Sequence, residues 1–231
     1  MLELIKTSLE HKILPPANPS AKIHPALFLL HGRGSNEDDL LGLAPYLDPR
    51  FFMIAVRAPF QFPYGGFTWY DTPEAGSPEP GEFEQSYDRL MQCIEAATMH
   101  YPIDAGRLFL MGFSMGTVMS YAIALTRPDL IRGVVANSGY IPEGVNLSFR
   151  WDRLKGKGFF VAHGVHDPVI GIETARRAKE MLLKAEADLT YREYPIAHSM
   201  SEESIDDVSR WLRQRLEPGG RESGKQKANE N

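Results

Sequence analysis

Residues 108–125 read LFLMGFSMGTVMSYAIAL. The first six, Leu108 to Phe113, form an uncharged apolar run too short for a helix of ordinary length, and they read as a strand covered on both faces. From Met115 to Leu125 the apolar run continues as a helix, stopped before Pro128. The join is Gly112-Phe113-Ser114-Met115-Gly116, a G-x-S-x-G pattern. A strand entering a helix through one sharp turn can hold a serine in strained backbone, with a glycine on either side to leave room. The helix then aims its first N–H groups at negative charge developing beside that serine. Strand, serine turn and helix in this order point to an open α/β sheet with a nucleophile at a strand end.

The alternation extends in both directions. ALFLL (Ala26 to Leu30), FMIAV (Phe52 to Val56), GVVANS (Gly133 to Ser138) and FFVAH (Phe159 to His163) read as further buried strands, and LTYREY (Leu189 to Tyr194) as a strand with alternation. Tyr87, Leu90, Met91, Ile94, Ala97 and Tyr101 mark one helix face, ended near Pro102, and Ile205, Val208, Trp211, Leu212 and Leu216 mark the face of a last helix. The expected fold class is α/β, a mainly parallel sheet flanked by helices on both faces. Residues 1–216 are expected to form one domain. In residues 217–231 only Ala228 is apolar, so that segment is expected to be a disordered tail. Thr72 to Glu84, with three prolines, two glycines and four glutamates, reads either as a surface flap or as a plain linker.

Composition narrows the function classes. Of 231 residues, 43% are hydrophobic and 24% charged, which excludes a largely disordered or fibrous chain. The 25 Lys and Arg against 30 Asp and Glu leave a net charge of −5, which gives no reason to expect nucleic acid or an anionic membrane as partner. No stretch approaches 18 apolar residues, and MLELIKTSLEHKILPP is interrupted by charges, so neither membrane insertion nor a signal peptide is expected. The expectation is a cytoplasmic protein, with a homodimer open to it should a phenylalanine or tryptophan patch be exposed. The single cysteine, Cys93, excludes an intramolecular disulfide and a multi-cysteine metal site, and reads as a small buried residue.

A serine hydroxyl needs a base, and the base an orienting acid. In sheets of this kind the chain order is Ser, then Asp or Glu, then His. Of seven histidines only His163, His166 and His198 follow Ser114. His198, in YPIAHSMSEE between the last strand and the last helix, is the one with room for an acid loop before it. Asp167 in HGVHDPVI follows the FFVAH strand, and a carboxylate there lies where ligands of open α/β sheets gather. His163 and His166 are expected to shape the Asp167 turn. Asp129, Asp152, Asp188 and Glu193 are the competing acids, the first three outside strand-end loops and Glu193 within a strand. The oxyanion hole needs two backbone donors. The N–H of Met115 is one, and that of Arg33, in the His31-Gly32-Arg33-Gly34 loop after ALFLL, is the other. His31 is placed with the substrate pocket, the alternative being a buried histidine of the core. Asp38 and Asp39 read as first-turn acids of a helix opened by Ser35 or Asn36. No four-ligand metal set, phosphate loop or dinucleotide fingerprint is present, so no metal and no cofactor is expected. Acyl transfer to water through a covalent acyl-serine remains, with a small-molecule ester as partner.

LLHGRGSNEDDL (29–40), RAP (57–59), WYD (69–71), GFSMG (112–116), HGVHDPVI (163–170) and AHSMS (197–201) together resemble the phospholipase/carboxylesterase family of the α/β-hydrolase fold. The family includes acyl-protein thioesterases and small bacterial carboxylesterases, and the HGRGSNEDDL form resembles the bacterial branch. The resemblance covers about Ala26 to Leu216. It implies Ser114 as nucleophile, Asp167 as acid, His198 as base, and the Arg33 and Met115 amides as oxyanion hole. It also implies a pocket wall around Trp69, for which the alternative is plain core. Two departures stand out: Met115 replaces the glutamine that follows the nucleophile in many relatives, and 72–84 is unusually acidic. The implied function is a serine carboxylesterase acting on small to medium esters. The alternatives are a thioesterase or lysophospholipase acting on long acyl chains, and a non-catalytic binding protein on the same scaffold.

Overall fold

In the computed structural model, which describes residues 3–18, 21–72 and 78–217, the apolar runs become the inner strands of one sheet. The strands are β1 (His11–Leu14), β2 (His24–Leu30), β3 (Phe52–Val56), a short hairpin β4 (Phe60–Gln61) and β5 (Phe67–Thr68), then β6 (Ile103–Phe113), β7 (Ile131–Asn137), β8 (Gly158–Gly164) and β9 (Asp188–Tyr194). The helices are α1 (Asp38–Leu41), α2 (Pro80–His100), α3 (Met115–Thr126), α4 (Ile172–Lys184) and α5 (Glu202–Leu216). Seven strands lie in the order β1-β3-β2-β6-β7-β8-β9. All pair in parallel except the edge strand β1, which runs antiparallel to β3.

Strand β6 shows how both faces are covered. Leu108 and Leu110 belong to a core shared with Leu90 and Ile94 of α2, Val118 and Tyr121 of α3, and Ala178 and Leu182 of α4. Phe109 and Met111 point the other way, into a core with Leu40 of α1 and Val208, Trp211 and Leu212 of α5. Two-sided burial is the reason the inner strands are nearly continuous apolar runs.

The chain leaves β2 for β3 on one side and returns to β6 on the other. The loops after β2 and β6 therefore diverge, and this opens a crevice at the carboxyl ends of the strands. Close approach at that point requires glycine. A Cβ on Gly116 would lie 1.9 Å from the Leu30 carbonyl oxygen, and one on Gly112 would lie 2.4 Å from the Gly116 backbone. The two glycines of G-x-S-x-G thus let α3 start directly against the ends of β2 and β6.

Several expectations are revised here. The second half of the 72–84 stretch is neither flap nor linker: it opens α2, where Pro80 sits in the first turn and the Glu79 carboxylate accepts from the Glu82 N–H at 2.6 Å. Residues 73–77 lie outside the described residues, as do residues 218–231 of the expected tail. Glu217 is described; its carboxylate accepts from Arg50 at 3.0 Å. The helix foreseen after the HGRG loop is the single turn α1, where Asn36 Oδ1 accepts from the Asp38 N–H at 2.8 Å. Strand β1, hairpin β4–β5 and helix α4 were not foreseen. Among the described residues no phenylalanine or tryptophan is among the exposed large apolar side chains, so the patch invoked for a homodimer is absent there. No described helix is long and apolar enough to cross a membrane.

Candidate active site

Ser114 sits between β6 and α3 with φ 54° and ψ −118°, a conformation that side-chain-bearing residues rarely adopt and that costs roughly 1–3 kcal/mol. The end of β7 holds it there. The Ser114 N–H donates to the Asn137 carbonyl at 3.0 Å, Thr117 Oγ1 donates to the same oxygen at 2.7 Å, and Asn137 Nδ2 donates to the Gly112 carbonyl at 3.0 Å. Helix formation on one side and sheet bonding on the other therefore fix the serine before any ligand arrives.

Asp167 lies in the turn after β8, and His198 in the loop after β9. His198 Nδ1 is 2.7 Å from Asp167 Oδ2, while Asp167 Oδ1 accepts from the Val169 and Ile170 N–H groups, each at 2.9 Å. Burial alone would raise the Asp167 carboxyl. The Ile170 amide, the His198 ring and the Val169 amide outweigh it and hold the group below the usual carboxylate range. The acid is thus an anion with its lone pairs committed. His163 Nε2 donates to the Ile170 carbonyl at 2.7 Å and stands 3.3 Å from Asp167 Oδ2. Burial pushes the His163 ring below its ordinary value. It shapes the Asp167 turn as a neutral group, in line with the sequence reading. His166 is exposed, and its backbone N–H donates to the Ile196 carbonyl at 3.1 Å. The ring of Phe113, next to Ser114, packs on His198 with centroids 4.9 Å apart.

Across the crevice is the loop after β2. Gly34 has φ +76°, and its N–H donates to the Phe67 carbonyl at 2.8 Å, while the Phe67 N–H donates back to Ser35 at 2.8 Å. Hairpin β4–β5 thereby braces the loop. Arg57 of the RAP motif seals it from below: its guanidinium donates twice to the buried Glu37 carboxylate at 2.6 Å, once to Glu10 at 2.5 Å, and lies over the Phe67 ring. Among the described residues neither the Arg33 nor the Met115 amide donates to a protein acceptor. Both therefore remain available to an oxygen in the cleft.

The placement of His31 and Trp69 at the pocket is corrected. His31 is buried; its Nδ1–H donates to the Gly32 carbonyl at 2.7 Å and its Nε2 accepts from the Ala58 N–H at 3.0 Å. Burial lowers its pKa, so it is a neutral brace. Trp69 is fully buried, and its indole N–H donates to the His31 carbonyl at 2.9 Å. Both rings are buried and bonded to backbone groups in and beside the Arg33 loop, which leaves no surface for a ligand. Cys93 is also buried, its thiol pushed up to about 11 by desolvation, as suits a core residue rather than a nucleophile.

A cavity of about 610 Å³ joins these parts, lined by Gly32, Arg33, Phe113, Ser114, Met115 and His198 and also by Thr72, Tyr140, Val169 and Ile170. The last four escaped the sequence reading. Val169 and Ile170 could have been found from their place just after Asp167; Tyr140 and Thr72 lie on loops without periodicity or motif. The ends of β6, β8 and β9 and the loop after β2 thus bring Ser114, Asp167, His198 and Arg33 to one crevice.

The model of the phospholipase/carboxylesterase family matches residues 13–216. The chain belongs to that family. It is 28% identical over 226 residues to acyl-protein thioesterase 1 of Candida albicans, an alignment covering 88% of this chain and 96% of that protein. The solved carboxylesterase of Bacillus cereus superposes with a TM-score of 0.79 at 23% identity, covering 90% of this chain and 95% of the other. The carboxylesterase of Mesorhizobium loti gives 0.78 at 20% identity, covering 91% and 97%. At these identities the structures speak to the fold, which is the α/β-hydrolase fold. The family makes this family member a hydrolase of the carboxylesterase and acyl-protein thioesterase group.

Proposed function

We propose that the protein is a serine hydrolase that cleaves carboxylic esters of small to medium size through an acyl-serine intermediate. The observation that carries this reading is the 2.7 Å contact of His198 Nδ1 with an ionised, buried Asp167, in a cleft shared with the strained Ser114. In the proposed reaction Ser114 Oγ attacks the ester carbonyl as its proton passes to His198 Nε2. Asp167 holds Nδ1–H and stabilises the cation formed. The Arg33 and Met115 amides receive the negative charge that builds on the carbonyl oxygen. Collapse expels the alcohol with the proton from His198, and water then repeats the sequence on the acyl-serine.

A second reading, cleavage of long-chain acyl esters or thioesters, has its own support. Tyr140, Val169 and Ile170 also line a neighbouring groove of about 430 Å³ that runs along α4 past Ile141, Ala178 and Met181. Hydrolysis of p-nitrophenyl esters from acetyl to palmitoyl separates the two. A peak of kcat/KM at short to medium chains is expected. Turnover that rises to palmitoyl would transfer the assignment to long-chain substrates, and no turnover at any length would count against hydrolysis itself.

A further inference from the structure

One side chain at the cleft is built to do something the acyl transfer does not use. Arg33 is exposed and lines the same cavity as Ser114 and His198. Its Nη2 donates to Thr72 Oγ1, and its guanidinium lies 5.7 Å from the centroid of the Phe62 ring. A hydroxyl and an aromatic face hold a cation in place without neutralising it.

Several other arginines of this chain are ion-paired. Arg57 is taken up by Glu37 and Glu10, Arg50 by Asp48 and Glu217, Arg176 by Glu173 and Glu193, and Arg177 by Glu143. Among the described residues no carboxylate comes within ion-pair distance of Arg33. Two described acids near Thr72 are otherwise engaged: Asp71 accepts from the Thr72 N–H at 2.8 Å, and Glu82 accepts from the Asp71 N–H at 2.7 Å. Among the residues lining the cavity there is no Asp, Glu or Lys, and Arg33 is the one arginine. The chain as a whole carries −5, so general attraction of anions is not at work, and any preference for them must be local to this guanidinium.

We propose that Arg33 forms an anion subsite at the lip of the Ser114 cleft, and that the preferred esters carry a carboxylate. The proposal rests on the hydrolytic reading above and deepens it. A guanidinium fork matches the planar carboxylate with two parallel N–H···O bonds, and among the described residues Thr72 Oγ1 is the acceptor for the Arg33 guanidinium. In the proposed mechanism the amide of the same residue meets the reacting carbonyl, so the carboxylate belongs several bonds from the reacting carbon, in either the acyl or the alcohol portion.

Two matched ester pairs test this. In the first, 4-nitrophenyl hydrogen adipate is compared with 4-nitrophenyl hexanoate; in the second, 3-carboxyphenyl butanoate is compared with its methyl ester. The readout is the ratio of kcat/KM, anionic over neutral, so that any disturbance of the Arg33 amide common to both esters cancels. Wild type is expected to favour the anion in at least one pair, and the responding pair tells which portion bears the charge. Arg33→Gln should lower that ratio about five- to tenfold, Arg33→Lys should restore part of it, and Arg33→Glu should bring it below one. The wild-type preference should also shrink at about 0.5 M NaCl. Equal ratios in wild type and Arg33→Gln for both pairs, with neutral esters still turned over, would overturn the subsite and leave the hydrolase reading standing. Failure of wild type to cleave any of the four would remove the hydrolase reading and the subsite with it.

Discussion

Replacing Ser114 by alanine is expected to lower kcat for p-nitrophenyl butyrate by roughly 10⁴-fold or more, with unfolding transitions close to those of wild type. The size follows from the roles proposed for the site. Without Oγ there is no atom to receive the acyl group, and His198 has no proton to take. What remains is whatever the Arg33 and Met115 amides do for attack by water. The fold should be indifferent to the change, because Ser114 is held through its backbone: its N–H by Asn137, and its carbonyl by the Thr117 and Val118 amides. The alanine inherits the same φ of 54°, so the strain is neither relieved nor increased. Circular dichroism and a urea transition check the second half of the expectation. A variant that keeps more than a few per cent of the wild-type rate would remove Ser114 from the mechanism.

Asp167→Asn is the second large effect, on the order of 10³–10⁴ in kcat with little change in KM. Asp167 Oδ1 accepts from the Val169 and Ile170 amides and Oδ2 meets His198 Nδ1. An asparagine has only one acceptor oxygen. If its NH₂ turns to the two amides, donors face donors in a buried turn. If it turns to His198 instead, Nδ1 must become the acceptor, and the ring proton moves to Nε2, where it blocks transfer from Ser114. Either orientation fails, and the second fails without any loss of shape. Steady-state kinetics on the same ester, beside the unfolding transition, distinguishes the two. A loss smaller than tenfold would mean that Asp167 does not orient the base.

The inner strands and the serine turn were legible because their physics is local. An uncharged run of six and an apolar helix joined by G-x-S-x-G leave few other arrangements, and the Leu30 carbonyl at 1.9 Å from a would-be Gly116 Cβ explains why that spacing admits nothing larger. Asp167 and His198 were legible from position in chain order. Three of the four rival acids turn out to be engaged elsewhere: Glu193 with Arg176, Asp188 with Arg215, and Asp129 with Arg150. Helix α4 was missed because its buried stripe is Ala175, Ala178 and Leu182, two alanines among charged residues, too faint a signal beside the Leu- and Trp-bearing face of α5. Strand β1 is four residues long and sits at an edge, so neither periodicity nor charge marks it. His31 and Trp69 were misplaced for a different reason. Nearness to the catalytic loop in sequence does not say which side of the loop a ring takes, and here the free hydrogen-bond partners, the Gly32 and His31 carbonyls and the Ala58 amide, lie behind it.

The RAP and NED segments illustrate how a motif can be structural although it sits at a site. Arg57 and Glu37 link the base of the oxyanion loop to hairpin β4–β5 through two 2.6 Å bonds and a stacked Phe67. The Arg57 hydrogen bonds hold the Glu37 carboxyl below its usual range, although burial opposes them. In the proposed mechanism they act by positioning the Arg33 loop.

Ser114 is proposed to carry the covalent intermediate, and the intact mass of the protein after exposure to an alkyl fluorophosphonate reads this step. Attack by Ser114 Oγ expels fluoride and leaves one phosphonyl group on the chain. The account predicts a single added group, located by peptide mapping to the Gly112–Gly116 segment and absent from Ser114→Ala. Labelling of the Ser114→Ala protein to the same extent, or a single group mapped to another residue, would contradict it.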